Sequence, residues 1–203
     1  MTNKRRRTPR VSAGAHQTKG TSPKSSQGES GTLEARLQRV KLFLCDVDGI
    51  LTDGSIFITA DGEFKQFNIL DGLGLRLLQN EGIKVGWISN RPSAVTERRA
   101  NELKIDFLVQ QKQGTKVAAV EDILRQTGLD FPAACFMGDD IVDLAVLRRV
   151  GLAIAVPGGI QETKNLAHHV TKAPGGRGAV REVVEMILKA QGKWNRLVQQ
   201  YLA

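Results

Sequence analysis

Residues 40–49 read Val-Lys-Leu-Phe-Leu-Cys-Asp-Val-Asp-Gly, an apolar run that ends in two aspartates two positions apart. A continuous apolar run of this length is typical of a buried strand in a parallel sheet. Carboxylates are rarely buried without a compensating cation, so a strand that ends in Asp46 and Asp48 predicts one. Magnesium binds carboxylate and carbonyl oxygens together with waters. The stretch therefore predicts a magnesium site at the end of a central strand.

Further apolar runs follow, and helical periods separate them. Strands that alternate with helices predict an α/β fold in which a parallel sheet is covered on both faces and binds ligands at its carboxyl edge. A C-terminal stretch, residues 179–202, predicts one or two amphipathic helices divided near Gly192. The predicted strands are residues 84–88, 106–109, 133–137 and 152–156, and the predicted helices are residues 73–80, 93–103, 115–127 and 141–149.

One segment interrupts this alternation. Residues 55–59 and 63–67 are rich in β-forming residues and flank an Asp61-Gly62 turn, a pattern that predicts a β-hairpin. An isolated two-stranded hairpin is at best marginally stable in water. We therefore expect the hairpin to pack against a neighbouring subunit.

The charge of the chain is concentrated near its N-terminus. Residues 1–33 contribute +6 to the formal net charge of +8, from seven basic residues and Glu29. Their only large aliphatic residue before Thr32 is Val11, so this stretch cannot bury enough surface to offset the entropy of ordering. We expect a disordered basic tail over residues 1–33 and one domain over residues 34–203. The functional alternatives for this tail are a basic arm that binds nucleic acid or a membrane surface, or an organelle-targeting segment, and a solvated extension without a specific partner is favoured. We expect no nucleic-acid binding outside the tail.

Solubility and cysteine content indicate the compartment. No apolar run reaches the about 18 residues that a membrane span needs. Cys45 and Cys135 both lie in predicted strands, which favours buried reduced thiols over a disulfide or metal site. These features predict a cytoplasmic protein that does not contact a membrane.

Polar side chains follow the predicted strands. Ser89 directly follows the second strand, residues 84–88, Lys116 opens a helix, and an acidic cluster at residues 139–143 follows a later strand. Each signal has a simpler explanation alone: Ser89 as a helix cap, Lys116 as a solvent-facing cation, and the acidic cluster as compensation for a helix dipole. Together, a carboxylate nucleophile, groups that hold phosphate oxygens and metal-binding carboxylates favour phosphoryl transfer.

In this order the motifs resemble the haloacid dehalogenase superfamily of phosphohydrolases, over residues 40–192. Residues 46–54, 71–78, 138–144 and 175–182 are similar to its 3-deoxy-D-manno-octulosonate 8-phosphate phosphatase subfamily. The resemblance implies a Rossmann-like three-layer sandwich and a magnesium-dependent step in lipopolysaccharide biosynthesis. Gaps of 43 residues from Asp46 to Ser89 and 27 residues from Ser89 to Lys116 leave no room for a cap domain. In this subfamily the hairpins assemble a homotetramer, and a neighbour's C-terminal segment covers each site.

The resemblance also implies residue roles. Asp46 would attack phosphorus and form an aspartyl-phosphate, and Asp48 would act as acid and then as base. Magnesium would be held by Asp46, the main-chain carbonyl of Asp48 and Asp139, with Asp140 and Asp143 beside these ligands. Ser89 and Lys116 would bind the phosphoryl oxygens. The positions where the sugar-acid substrate is contacted would be Asn68, Asp71, Gly72, Arg76, Arg91 and Arg99.

Alternatives remain. Leu70 and Asn90 stand where the subfamily usually has arginine and glycine, which leaves a nonulosonate 9-phosphate as an alternative substrate. Response-regulator receiver domains also combine aspartates, a hydroxyl and a lysine, but they place their acidic pair before the phosphoacceptor. A catalytically silent regulatory homologue is a third alternative, although the full set of catalytic groups is present.

Overall fold

The computed structural model describes residues 1–2, 31–112 and 115–202 and contains two sheets. The larger is a parallel sheet of six strands in the order β5-β4-β1-β6-β7-β8, and β2 and β3 form a separate antiparallel hairpin. The strands are β1 (Leu42–Cys45), β2 (Phe57–Thr59), β3 (Gly62–Phe64), β4 (Lys84–Ser89), β5 (Phe107–Gln110), β6 (Ala134–Met137), β7 (Leu152–Ala155) and β8 (His169–Val170).

Helices cover both faces of the parallel sheet. The helices are α1 (Leu33–Arg39), α2 (Ile69–Asn80), α3 (Ala94–Leu103), α4 (Lys116–Thr127), α5 (Leu144–Leu147), α6 (Gln161–Leu166), α7 (Ala179–Ala190) and α8 (Trp194–Gln200), with 3-10 turns at Phe131–Ala133 and Ile141–Asp143.

The central strand β1 divides the core into two clusters. Phe43 and Cys45 pack on the side of α2 and α7, whereas Leu42 and Leu44 pack on the side of α4 and α5. Successive side chains of a strand point to opposite faces, so a strand buried on both sides is apolar at every position. This burial explains the uninterrupted apolar run and confirms the predicted three-layer α/β architecture.

The elements that pattern analysis missed are short. Strand β8 has two residues, and α1 and α6 have seven and six residues. The predicted helix over residues 141–149 is instead a 3-10 turn followed by α5, and the predicted division of the C-terminal helices near Gly192 is confirmed. Short elements give too few residues for a period to be recognised.

The predicted basic tail falls mostly on residues 3–30, which lie outside the described residues. Thr32 caps α1, since its Oγ accepts a hydrogen bond from the amide of Ala35 at 3.2 Å. The predicted boundary after residue 33 therefore falls inside the first turn of α1. Within the part of the chain that the structure describes, no helix is both long and apolar enough to cross a membrane.

The hairpin forms, with a turn that differs from the prediction. Thr59 pairs with Gly62, so the loop residues are Ala60 and Asp61, and Gly62 belongs to β3. This register places Phe57 opposite Phe64, and their rings stack with centroids 4.7 Å apart. Cross-strand aromatic contact of this kind fixes the pairing. Both rings are about half exposed and Ile58 is 81% exposed, which leaves an apolar surface on the hairpin.

A glycine-rich turn fastens the C-terminal part of the chain to the loop after β1. The amide of Gly176 donates to the carbonyl of Ile50 at 2.9 Å. A Cβ on Gly175 would lie 1.7 Å from the carbonyl oxygen of Gly49, so a side chain at residue 175 is excluded. The site loop and α7 are therefore positioned together.

Candidate active site

The parallel strands bring the predicted polar groups to one edge of the sheet. Asp46 follows β1 directly, and its amide donates to the carbonyl of Met137 at the end of β6, at 3.0 Å. Its Oδ1 accepts from the amide of Val47 at 2.6 Å, and its Oδ2 lies 2.8 Å from Nζ of Lys116. The main chain of Asp46 is thus fixed by a hydrogen bond to the neighbouring strand, and its carboxylate is fixed by the amide of Val47 and the ammonium of Lys116.

Lys116 opens α4 and is buried, which rules out the simple solvent-facing role. Its ammonium lies 2.7 Å from Oδ1 of Asp143, in addition to its contact with Asp46. Burial opposes the charge, but Asp46 and Asp143 outweigh that effect and raise the pKa of Lys116 above its ordinary value. Lys116 therefore stays cationic between two carboxylates.

Asp143 holds the loop that carries Asp139. Its Oδ2 accepts from the amides of Asp139 at 2.9 Å and Asp140 at 3.2 Å, while its Oδ1 faces Lys116. Gly138 lets this contact form, because a Cβ there would lie 2.5 Å from that of Asp143. Asp140 itself caps the 3-10 turn through the amide of Ile141.

The third carboxylate completes a potential metal site. Oxygen atoms of Asp46, Asp139 and Asp143 all lie within 4.8 Å of one another. Burial raises the pKa of Asp46 to about 6, with Asp143 adding to it and Lys116 opposing it, and burial with the charge of Asp46 raises the pKa of Asp139 to about 7. Oδ1 of Asp139 is buried and has no hydrogen-bond partner among the described residues. This oxygen and the crowded negative charge fit a hard cation.

Of the three carboxylates, Asp143 is the least suited to bind a metal directly. Both of its oxygens already have donors in Lys116 and the two amides. Asp46 and Asp139 remain as candidate carboxylate ligands, and metal binding by these two residues stays a prediction. Gly49, at φ +90°, permits the approach of Asp139, since a Cβ there would lie 2.0 Å from its Oδ2.

Asp48 has a different environment from Asp46. It is half-buried, and its Oδ1 lies 2.7 Å from Nζ of Lys65, whose side chain is fully buried. The same ammonium lies 3.3 Å from Oγ1 of Thr96 near the start of α3. Each of the two motif aspartates therefore has its own buried lysine.

Ser89 and its neighbours form the opposite wall. Oγ of buried Ser89 accepts from the amide of Arg91 at 3.0 Å, and Oδ1 of Asn90 is buried without a partner among the described residues. Arg91 forms an ion pair with Glu63 of the hairpin. Hydrogen bonds from Arg91 and Ser93 lower the pKa of Glu63 to about 2. The hairpin is thereby fastened to the loop after β4.

Most of the predicted catalytic and metal-binding residues line one open cleft of about 280 Å³. Its walls include Ile56, at the entry to the hairpin, and Val142, beside the acidic cluster. A small phosphorylated group can therefore reach a carboxylate, an ammonium and a hydroxyl at once. The predicted residues in its lining are Asp46, Asp48, Ser89, Arg91, Lys116, Asp139 and Asp140.

The other predicted substrate contacts lie elsewhere in the chain. Asn68 caps α2, and Asp71 accepts from the amides of Gly178 and Arg181 at the start of α7. Gly72 makes room for Arg99, and Arg76 donates to the carbonyl of Leu103. Asn68, Asp71, Gly72 and Arg99 share a second, narrow cavity. Their contact with substrate stays a prediction.

Sequence reasoning missed Lys65 and Glu63. Lys65 directly follows β3, where a lone lysine is ordinarily solvent-facing. Glu63 lies within β3, whose residues alternate between exposed and partly buried positions. Their partners lie 17 and 28 residues away in the chain, so no local pattern marks either residue.

Comparisons with known proteins identify the family to which the chain belongs. A sequence profile of the haloacid dehalogenase-like hydrolases matches residues 104–183. The 3-deoxy-D-manno-octulosonate 8-phosphate phosphatase of Yersinia pestis is 40% identical over 159 residues, which cover 78% of this chain and 84% of that protein.

Solved structures are similar as well. The 3-deoxy-D-manno-octulosonate 8-phosphate phosphatase of Moraxella catarrhalis, crystallised with magnesium, phosphate and the octulosonate, is 39% identical with a TM-score of 0.80. The alignment covers 83% of this chain and 97% of that one. The cobalt-bound phosphatase of Haemophilus influenzae is 38% identical with a TM-score of 0.75, over 78% of this chain and 92% of that one.

Proposed function

This chain belongs to the haloacid dehalogenase-like hydrolases, in the family of the 3-deoxy-D-manno-octulosonate 8-phosphate phosphatases, and we propose that it hydrolyses that sugar-acid phosphate. The products are the free octulosonate and inorganic phosphate. The observation that carries the proposal is the contact of Asp46 with Lys116 beside Asp139, at the floor of an open cleft. A carboxylate held in this way is placed to attack phosphorus.

The reaction proceeds in two displacements. An oxygen of Asp46 forms a bond to phosphorus while the bond from phosphorus to the sugar oxygen breaks, and Asp48 gives its proton to that leaving oxygen. Water then attacks the aspartyl-phosphate, gives a proton to Asp48 and restores the carboxylate of Asp46. A mixed anhydride is far easier to hydrolyse than an alkyl phosphate, so two steps replace one very slow step.

Lys116 and Ser89 bind the phosphoryl group during both steps. Lys116 lies within hydrogen-bond distance of Asp46, so its ammonium also reaches oxygens on the phosphorus that Asp46 attacks. Ser89, Asn90 and Arg91 line the same cleft. Lys116 and Ser89 both stabilise negative charge that develops on the transferring phosphoryl group.

Magnesium fits the acidic side of the cleft. Asp46, Asp139 and the main-chain carbonyl of Asp48 would hold it, and Asp143 keeps the loop of Asp139 in place. When bound, the ion neutralises the carboxylates and lets an anionic phosphate approach them.

The hairpin supports the proposal of a homotetramer. Phe57 and Phe64 are exposed on one face of the hairpin and Ile58 on the other, and Ile56 at the hairpin entry lines the cleft. Assembly through the hairpin would bury these exposed side chains and bring a neighbouring subunit close to Ile56 and the cleft. The described residues 31–112 and 115–202 contain no cap domain, so a neighbour's surface would supply the wall that excludes water. A cytoplasmic location is proposed from the reduced, buried state of Cys45 and Cys135.

A substrate comparison tests the function. Phosphate release is measured with magnesium on octulosonate 8-phosphate, on a nonulosonate 9-phosphate and on hexose phosphates. We expect kcat/KM for the octulosonate to exceed that for the hexose phosphates by at least about tenfold, because a carboxylate substrate can pair with arginine. A higher kcat/KM for the nonulosonate would transfer the assignment to that sugar, which the departure at Leu70 makes the relevant competitor. Absence of phosphate release from every ester would refute a phosphatase.

A further inference from the structure

We propose that Lys65 is a positioning residue that holds the carboxylate of Asp48 in place for proton transfer to the leaving oxygen, an inference that rests on the proposed phosphatase function. Nζ of Lys65 lies 2.7 Å from Oδ1 of Asp48. With Oδ1 fixed in this way, Oδ2 is the oxygen that exchanges a proton with substrate or water.

The burial of Lys65 excludes direct contact with substrate. Its side chain is 0% exposed, whereas that of Asp48 is 22% exposed. Asp48 lines the cleft of about 280 Å³, and Lys65 does not. A cation that substrate cannot reach acts on the reaction through its neighbour, which here is Asp48.

A second ion pair in the chain has the same length as the pair of Lys65 and Asp48 but a different exposure to solvent. Lys84 and Asp106 are also 2.7 Å apart, but the Lys84 side chain is 56% exposed and the pair lies at the opposite end of β4 from Ser89. Exposed pairs contribute little, because water competes with them. The side chain of Lys65 is instead fully buried and contacts Asp48 and Thr96, so its position is tightly determined.

The aspartate needs such support. A carboxylate on a short side chain can turn about two bonds, and proton transfer requires one oxygen within hydrogen-bond reach of the leaving group. One fixed ammonium restricts both rotations. Asp46 obtains the same restriction from Lys116 and the amide of Val47, so the two motif aspartates are oriented by two separate lysines.

Leaving-group dependence tests the proposal. The variant is Lys65→Met, which keeps most of the side-chain volume and removes the donor. Values of kcat/KM are compared for p-nitrophenyl phosphate, whose leaving group needs little protonation, and for an alkyl phosphate, which needs a proton. kcat/KM reports the steps up to phosphoenzyme formation and is independent of slow dephosphorylation. We expect a loss of about 100-fold for the alkyl ester and less than about fivefold for the aryl ester.

Two controls separate positioning from structure. Lys84→Met removes the matched ion pair and should leave kcat/KM unchanged for both esters. Lys65→Met combined with Asp48→Asn should lose no more on the alkyl ester than Asp48→Asn alone, because Lys65 acts through that carboxylate.

The outcomes are distinct. Equal losses on both esters, or an additive loss in the double variant, would overturn the role of Lys65. A wild-type protein that cleaves these esters but not the octulosonate phosphate would instead refute the proposed substrate, and the Lys65 comparison would stand. If the wild-type protein cleaves none of these esters, both the phosphatase function and the role of Lys65 are refuted.

Discussion

The end of β1 and the hairpin lie fewer than twenty residues apart in the chain. They differ in how far contacts within one chain bury their side chains. At the end of β1, Asp46 and Lys116 face each other in a buried network that the chain supplies by itself. The hairpin exposes Phe57, Ile58 and Phe64 to solvent. The chemistry of the site is thus built within one chain, while its enclosure is proposed to come from a neighbouring subunit.

Removing the nucleophile gives the largest effect expected on the β1 side. Asp46→Asn should lower kcat by at least about 10⁴-fold, because an amide cannot form the phosphoenzyme. The melting temperature should stay close to that of wild type, since Lys116 keeps Asp143 as a partner. Phosphate release and thermal unfolding measure the two effects. Asp122→Asn, at an exposed position of α4, is the matched control, and activity within tenfold of wild type for Asp46→Asn would contradict the mechanism.

Charging the hairpin tests the other side of the comparison. Ile58→Asp should give smaller species in light scattering, because an unpaired carboxylate is costly to bury in an interface. We expect about a tenfold lower kcat/KM for the sugar phosphate and little change for p-nitrophenyl phosphate. Ile56 is unsuitable for this test because it lines the cleft.

Asn101→Asp is the control for that experiment, since it adds the same charge at an exposed position of α3 rather than in the hairpin. A smaller Ile58→Asp species with normal sugar-phosphate turnover would show that enclosure of the site also belongs to one chain.

Asp71 decides between structure and substrate contact. Its carboxylate is buried and accepts from the amides of Arg181 at 2.7 Å and Gly178 at 3.2 Å. Asp71→Ala should lower the free energy of unfolding by about 1–3 kcal/mol, because two amides at the start of α7 lose their acceptor. Chemical denaturation measures this loss, and exposed Asp53→Ala is the control. A large rise in KM without loss of stability would instead support the substrate contact that the family resemblance implies.

The smallest effect concerns pH and magnesium. Burial raises the pKa of Asp46 to about 6 and that of Asp139 to about 7, from an ordinary value of 3.8. Between about pH 4 and 7 the folded protein therefore keeps protons that the unfolded chain has lost, so stability falls as pH rises. Without metal, we expect the melting temperature to drop by a few degrees from pH 5 to pH 8.

Magnesium should reverse this drop, with a larger stabilisation at pH 8 than at pH 5, because the ion binds the ionised carboxylates. Differential scanning calorimetry with and without the ion measures both effects. In Asp139→Asn the stabilisation by magnesium should largely disappear, and an unchanged response in that variant would exclude Asp139 as a ligand.

The same contrast explains how far the sequence predicts the molecule. The continuous apolar run that ends at Asp46 indicates by itself that the strand is buried on both faces. The central strand and the parallel sheet can therefore be predicted from the sequence pattern. Placement of Ser89 and Lys116 near Asp46 follows from the rule that parallel strands end at one edge. Lys65 is beyond such reasoning, because its burial depends on the path of the hairpin relative to α3. The family resemblance likewise assigns Arg76 to substrate, but its hydrogen bond to Leu103 depends on helix packing that no local pattern encodes.

The close approach of Gly175 to Gly49 has a consequence for the synthesis of the protein. The ribosome delivers Asp46 and Asp48 early, yet the loop after them obtains its hydrogen bond from Gly176 only when the last part of the chain emerges. Helix α7, which covers the Phe43 and Cys45 side of β1, arrives later still. A chain whose translation stops before residue 175 therefore carries Asp46 without the hydrogen bond that fastens the loop after it, and we expect such incomplete products to lack phosphatase activity.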